Sequence, residues 1–338
     1  MHFNVIIIGS GPAGCAAAIS CRQYGLHTLL ITGRNKNADE DQPAESIHPG
    51  VLSVLAQLKA AHCVSHASQG LYEGVCINDE FNPLGEDEHG IWKGHHINRK
   101  IFDAAFLQTA IEQGITVLEN ETVVDIITTG DRISAVKINT GSEIRCSYLI
   151  DASGHKRIAG KKLKFKESFY SPPLAVWTGV CKNIPASSFI FEKNCTRFIP
   201  RQNGWTWLAP QLPGSCTWTR LELKGKHEFL PPKELKEYEI AAKIKISNRR
   251  WRLFRPVCKE GVLLCGDAAG IIDPAAGQGI LNAIVSAGMA AKTVKACINN
   301  PGLEAMYLAS YDDWFSSDYE DKVNRLKYFY SLHGIRIF

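Results

Sequence analysis

The chain has 338 residues, 45% hydrophobic and 21% charged, with a formal net charge of +4. This is enough apolar chain for one large or two moderate buried cores, which excludes a disordered or low-complexity protein. The charge is modest, so nucleic acid is not an expected partner. Stable membrane insertion is not expected either, because no apolar run reaches spanning length.

The first predicted strand is Val5-Ile6-Ile7-Ile8, followed by Gly9-Ser10-Gly11-Pro12-Ala13-Gly14 and the helical run Cys15–Ser20. Strand, tight glycine turn and helix in this order cradle a dinucleotide pyrophosphate, with the helix N-terminus turned toward the phosphates. Gly9, Gly11, Pro12, Ala13 and Gly14 are therefore candidate binding residues. The helix is expected to end near Gly25, and residues 27–32 form the second strand. Such folds place an acid at the end of this strand; here the chain reads Thr32-Gly33-Arg34, which leaves Arg34 as an adenosine-side contact.

A polar loop over 35–43 leads to Glu45-Ser46-Ile47-His48-Pro49-Gly50 and a helix with apolar positions Val51, Leu52, Val54, Leu55 and Leu58. Residues 70–96 are rich in Gly, aromatics and turn formers, and short antiparallel strands are expected there. Ile97–Asp103 opens a helix with core positions Phe102, Phe106, Leu107 and Ile111. Strands follow at 116–118, 122–128, 133–139 and 143–150, the last ending in Asp151-Ala152-Ser153-Gly154.

Alternating runs at 174–180, 188–191, 205–208 and 217–223 predict a second sheet, inserted before the chain returns at Gly261. From Ile240 to Lys259 there are seven Lys or Arg and no acid. A solvated face is the favoured reading, a surface for an acidic partner or cofactor phosphates the alternative. Val262–Cys265 then reads as a buried strand that delivers Gly266-Asp267 at its carboxyl end. Asp273-Pro274 starts a second helix, with Gly277-Gln278-Gly279 in its first turn and Ile280 next. A carboxylate there can accept from a sugar-like polyol, and a bare helix start can stabilise negative charge on a ring system. Beyond Ala296, aromatic residues at near-helical spacing read as a packed C-terminal helix.

Eleven cysteines, an odd number without a Cys-x-x-Cys pair or zinc-type spacing with His, read as reduced, buried thiols. A cytoplasmic protein without a metal site is expected. The apolar N-terminus lacks a basic lead and is not read as a signal peptide.

The two glycine segments together resemble the glutathione-reductase-type FAD fold, in which the Gly-Asp pair binds the ribityl chain and the second helix points at the flavin pyrimidine. The expected fold is α/β: a Rossmann-like FAD-binding domain, an inserted antiparallel-sheet substrate domain and C-terminal helices. The FAD-binding domain would comprise 1–50, 97–159 and 256–300, the substrate domain 51–96 and 160–255, and the helical segment 301–338. Gly204-Trp205-Thr206-Trp207-Leu208-Ala209-Pro210 has the spacing of the Trp-x-Trp-x-Ile-Pro motif of flavin-dependent tryptophan halogenases, with Ala209 in place of Ile. Together with Glu45–Pro49, Asn98-Arg99 and Phe102-Asp103, it makes nearly the whole chain similar to the halogenase-like branch of FAD monooxygenases. Ser171–Trp177 and Trp218–Leu221 most resemble the LodB-like flavoproteins, which mature tryptophylquinone enzymes by oxygenating a tryptophan in a partner protein.

That resemblance implies FAD as cofactor and hydroxylation of an aromatic substrate through a flavin C4a-hydroperoxide. It implies FAD contacts at Arg99, Gly266, Asp267, Pro274, Gly277, Gln278, Gly279 and Ile280. Electrons would come from NADH, NADPH or an external flavin reductase. Halogenases carry a lysine near the flavin, but residues 70–92 hold none, so halogenation is not expected. His48 and Glu45 are the candidate acid–base groups, with His95 and His96 behind them, and Trp205 and Trp207 form the aromatic wall. His155-Lys156-Arg157 is a further candidate on the phosphate side. Two other readings remain: a geranylgeranyl-reductase-like enzyme acting on a prenyl chain, and a non-catalytic flavoprotein chaperone.

Overall fold

A computed structural model describes residues 2–33, 43–211, 214–223, 231–241 and 244–338. Arg34 lies outside the described residues. The strand His2–Ile8 is apolar on both faces, which suits a central position in a parallel sheet. It runs parallel to Thr28–Thr32 on one side and Glu143–Asp151 on the other, with Thr116–Glu119 beyond Thr28–Thr32. The far side of Glu143–Asp151 is shared. Its first residues pair antiparallel with Arg132–Ile138, and its last three pair parallel with Val262–Leu264. The carboxyl ends of the first strand, Glu143–Asp151 and Val262–Leu264 therefore lie side by side, which brings the two glycine turns to one edge.

The second sheet runs Glu239–Ile240 and Lys245–Arg249, then Leu174–Lys182, Ser215–Leu223, Gly204–Gln211, Cys195–Arg201, Gly74–Ile77 and Glu80–Pro83. All neighbours are antiparallel except Cys195–Arg201 with Gly74–Ile77. Alternation along these strands gives the sheet two apolar faces. Val176, Phe198, Trp205 and Leu221 join the main core, while Trp177, Leu208, Cys216 and Trp218 form a second one. The helix Glu304–Leu332 ties the two halves together. Tyr311 donates to the Leu264 carbonyl (2.7 Å), Tyr319 to that of Ile271 (2.9 Å), and Trp205 Nε1 donates to the Tyr330 hydroxyl (2.7 Å).

Three expectations are corrected. Residues 188–191 are not a strand: Ser188 caps a short 3-10 segment, Phe189–Asn194, which Lys193 (φ 60°) then breaks. Asp273-Pro274 begins only a 3-10 turn, Pro274–Ala276; Gly277 (φ 60°) cannot continue a helix, so the long helix is Gly279–Asn299. Within 51–96, only Gly74–Pro83 joins the second sheet. The helices Gly50–Gln57 and His62–Ala67 bury Val51, Leu55, Cys63 and Val64 in the main core, and Ser68–Tyr72 and Gly94–Ile97 pair beside Glu45–Ile47. No helix among the described residues is long and apolar enough to cross a membrane. All eleven cysteines are buried free thiols.

Candidate active site

At the nucleotide end the backbone itself makes the site. Gly9 sits at φ 101°, and a Cβ there would stand 2.6 Å from the Ala152 carbonyl oxygen; one on Gly14 would fall on the carbonyl oxygen of Gly9. A Cβ on Gly11 would meet nothing within 4 Å. The turn is thus closed against the Asp151–Gly154 segment on one side and open on the other. The helix Pro12–Gln23 starts at Gly11 with no side-chain cap and no acid in its first turn. Its first N–H groups are left for an anion. Pro12 and Ala13 are buried behind the turn, and Ser10 Oγ reaches Thr32 Oγ1 at 2.8 Å, tying it to the end of the second strand.

Asp151, fully buried, accepts from the N–H groups of Ser153 (2.9 Å) and Ala159 (2.7 Å), which folds the chain back beneath the turn. Beyond it, Arg157 pairs with Glu167 (2.5 Å), so of the His155-Lys156-Arg157 run this side chain is spent inside the protein. Gly266 (φ 54°) lies against Ala13 and Ala283, where the two helices approach, and Asp267 follows it with its side chain accessible from the cleft. Protein wraps around Asp267 closely enough that lost hydration raises its carboxyl above the usual range, opposed by Arg249, Arg252 and Arg99.

Arg99 and Glu45, from separate segments, form one ion pair: Nη1 donates to Glu45 Oε1 at 2.8 Å, and Nε and Nη2 hold Asp103 at 3.1 and 3.2 Å. Burial opposes the Arg99 charge, but the two carboxylates outweigh it and hold the guanidinium protonated. Glu45 is thereby a partner of Arg99 at the cleft wall rather than a free base.

The start of the second helix faces the same cleft. Pro274, Gly277, Gln278 and Gly279 are exposed, Ile280 is buried, and no side chain caps the helix. A Cβ on Gly277 or Gly279 would meet nothing within 4 Å. Next to this bare start lies a cavity of about 290 Å³, lined by Ala275, Gly277 and Gln278 on one side and by Trp207, Phe198 and Phe329 on another. Ser46, His48 and Tyr72 supply its polar edge, and Asn82, Pro83 and Leu84 complete its lining. His48 Nδ1 accepts from the Gly50 N–H (3.1 Å), and its ring meets Trp92 edge-on with centroids 6.2 Å apart.

The two tryptophans share a strand face, since both contact the Phe198 ring, at 5.7 Å for Trp205 and 6.4 Å for Trp207. Only Trp207 reaches the cavity. Trp205, 1% exposed, sits behind it and bonds to Tyr330. Tyr330, Trp251 Nε1 (3.2 Å) and the Ala275 N–H (2.9 Å) converge on buried Asp273. Burial pushes the Asp273 carboxyl up to about 6, against the pull of these donors.

A family model described as FAD binding domain matches residues 2–313. The chain belongs to that family. Its chemistry is that of a FAD-dependent oxidoreductase. The bare glycine turn, the exposed Asp267 and the uncapped helix start supply free N–H donors and a carboxylate acceptor, chemistry that suits a cofactor with phosphate and polyol parts such as FAD. Digeranylgeranylglycerophospholipid reductase of Thermoplasma acidophilum is 24% identical over 353 residues, covering 95% of this chain and 85% of its own. The solved flavin-dependent brominase Bmp2 superposes with a TM-score of 0.85 at 21% identity, covering 98% and 87% of the two chains. The peptidyl tryptophan dihydroxylase QhpG, essential for tryptophylquinone cofactor biogenesis, gives 0.76 at 18% identity, with 100% and 77% covered.

Several residues of this flavoprotein's cleft carried no local signal. Ser46, Tyr72, Phe198 and Phe329 line the cavity, and Asp273 and Tyr330 anchor its walls from behind. Phe329 and Tyr330 read in the sequence as part of a helical packing stripe, which they also are. His95 and His96 lie on the strand Gly94–Ile97 and bond to Ser68 (2.9 Å) and Ser46 (3.0 Å).

Proposed function

We propose that the protein is a FAD-dependent monooxygenase that hydroxylates an aromatic substrate, a tryptophan side chain of a partner protein during quinone cofactor biogenesis. The observation that carries this reading is the shared cavity. The bare helix start that suits the flavin and the Trp207–Phe198–Phe329 wall that suits a flat aromatic group enclose one space. At about 290 Å³ it lies just below the roughly 300–1,000 Å³ of drug-sized ligand pockets, which favours one aromatic group over a long prenyl chain. No lysine is among the described residues lining it, which favours hydroxylation over halogenation. The likeness to a peptidyl tryptophan dihydroxylase supports a protein-borne indole as target.

Reduced FAD, when bound, supplies the activation of molecular oxygen. The chain's own residues do the rest. Gly9–Gly14 receives the pyrophosphate, and Asp267 accepts from the ribityl hydroxyls. The free N–H groups at Gly279 stabilise negative charge on the ring edge. Trp207, Phe198, Phe329, Val75 and Ile77 keep water from the reacting centre. In neutral His48 the proton sits on Nε2, because Nδ1 accepts from Gly50, and Nε2 is the atom placed to give or take a proton. Electrons arrive from NADH or NADPH docking transiently, or from a separate flavin reductase.

The similarity to digeranylgeranylglycerophospholipid reductase favours a second reading, reduction of a prenyl chain. One experiment separates them. The FAD-loaded, reduced protein is mixed with oxygen and a tryptophan-containing peptide, or anaerobically with a polyprenyl lipid, and products are weighed by mass spectrometry. A peptide heavier by oxygen supports the monooxygenase; a lipid heavier by two hydrogens, with the peptide unchanged, overturns it.

A further inference from the structure

His96 is the most unusual polar group near the cavity. It lies directly opposite Ser46 in the antiparallel pairing of Glu45–Ile47 with Gly94–Ile97, and its Nδ1 is 3.0 Å from Ser46 Oγ. Its ring stacks on Tyr72, with centroids 4.8 Å apart and planes at 17°. The residue is 1% exposed, covered by Ser46 and Tyr72, which themselves line the cavity. Its Nε2 is buried and has no hydrogen-bond partner among the described residues.

A neutral imidazole carries a single N–H. Placed on Nε2, that hydrogen would be a buried donor facing no acceptor. Placed on Nδ1, it meets Ser46. Orphaned buried donors are rarer and costlier than under-used acceptors, so His96 Nδ1 donates to Ser46 Oγ. Burial keeps the ring neutral by lowering its pKa to about 4, with His95 adding to the effect. The Ser46 hydroxyl then has its oxygen engaged from behind and its own hydrogen free to turn forward. His96 is the only side chain bonded to it in the described structure.

We propose that Ser46 is a hydrogen-bond donor to the ligand in this cavity, set in that role by His96 as a positioning residue, so that the cavity favours a ligand presenting an acceptor oxygen beside its flat ring, as a peptide carbonyl does beside the tryptophan side chain it belongs to. The inference rests on the reading of the cavity as the substrate site, and it adds a specificity that the aromatic wall alone cannot provide. Apolar walls discriminate weakly between molecules of one shape, whereas a polar group left unpaired by the wrong ligand discriminates strongly.

The test uses the FAD-loaded protein and two probes of one shape, acetophenone and α-methylstyrene, which differ by a carbonyl oxygen in place of a methylene. Affinities are read from quenching of intrinsic tryptophan fluorescence. Ser46→Ala is expected to lower acetophenone affinity about 3- to 10-fold, the worth of one hydrogen bond, and to leave α-methylstyrene unchanged. His96→Phe, which keeps the ring stacked on Tyr72 but removes Nδ1, is expected to shift the acetophenone to α-methylstyrene ratio in the same direction by a smaller factor. An unchanged ratio in Ser46→Ala overturns the proposal, as does a parallel loss of both probes. Failure of both probes to bind the wild-type protein overturns the cavity reading itself, and the Ser46 proposal with it.

Discussion

The nucleotide end of the cleft comes from two short stretches of chain, Gly9–Gly14 and Gly266–Ile280, each folding where a buried strand ends. The cavity end is gathered from Ser46–His48, Tyr72–Leu84, Phe198, Trp207, Ala275–Gln278 and Phe329, spread over nearly the whole chain. At the first end the constraint is on the backbone, because a single carbon added at Gly9 or Gly14 collides with a backbone carbonyl oxygen. At the second it is on side-chain volume and on the hydrogen bonds behind the walls. Damage at the nucleotide end should therefore be all-or-none in cofactor binding, and damage at the cavity end graded and separable from it.

The most severe expected change is Gly14→Ala. Its Cβ would lie on the Gly9 carbonyl oxygen, which is backbone and cannot rotate away. Overpacking costs about 1–3 kcal/mol, and the upper part of that range is expected here. Both a lower melting temperature and loss of yellow cofactor on purification should be seen.

Gly11→Val isolates the cofactor from the fold. A Cβ at Gly11 meets no protein atom within 4 Å, so the melting temperature of the FAD-free protein should stay near the wild-type value while FAD retention is lost. Stoichiometric FAD in this variant would break the comparison, since the open side of the turn would not be the phosphate side.

Trp207→Ala carries the contrast to the other end. FAD content should be unchanged, and product formation from the tryptophan peptide should fall by about tenfold or more, because a wall that positions the target and excludes water is removed. Cofactor loss with normal turnover of the remaining holoenzyme would take Trp207 out of the site.

The smallest expected effect concerns Asp273. Its carboxyl is raised from 3.8 in the unfolded chain to about 6 when folded, so the folded state binds the proton more tightly. This contribution to stability is present below the unfolded value and lost as pH rises through about 6. Between about pH 7 and about pH 5 it amounts to roughly 1 kcal/mol of added stability on acidification. Denaturant unfolding at the two pH values should show that gain in the wild type relative to Asp273→Asn, which cannot titrate. An identical pH response in both proteins would show that burial of this carboxylate is not felt.

Sequence alone was sufficient wherever the determinant is local. The Val5–Ile8 run followed by Gly9–Gly14, and the Val262–Cys265 run followed by Gly266-Asp267, specify a buried strand and a tight turn within a few residues, because backbone sterics act at that range. The short alternating runs of the second sheet were equally legible, since period-two burial shows in the side chains themselves. Residues 188–191 misled because three apolar side chains mimic a strand, while the Ser188 cap and Lys193 set the backbone.

Only the tertiary structure decided which residues share the cavity. The Trp-x-Trp spacing puts Trp205 and Trp207 on one face, but the Tyr330 hydroxyl, 125 positions away, makes Trp205 an anchor and leaves Trp207 as the wall. Arg99 and Glu45 are both singled out by the sequence, yet their mutual ion pair depends on two strands and a helix meeting at one corner. The pairing of Ser46 with His96 is likewise a matter of cross-strand register. Such contacts are set by how sheets and helices pack over long separations, and no window of sequence contains both partners.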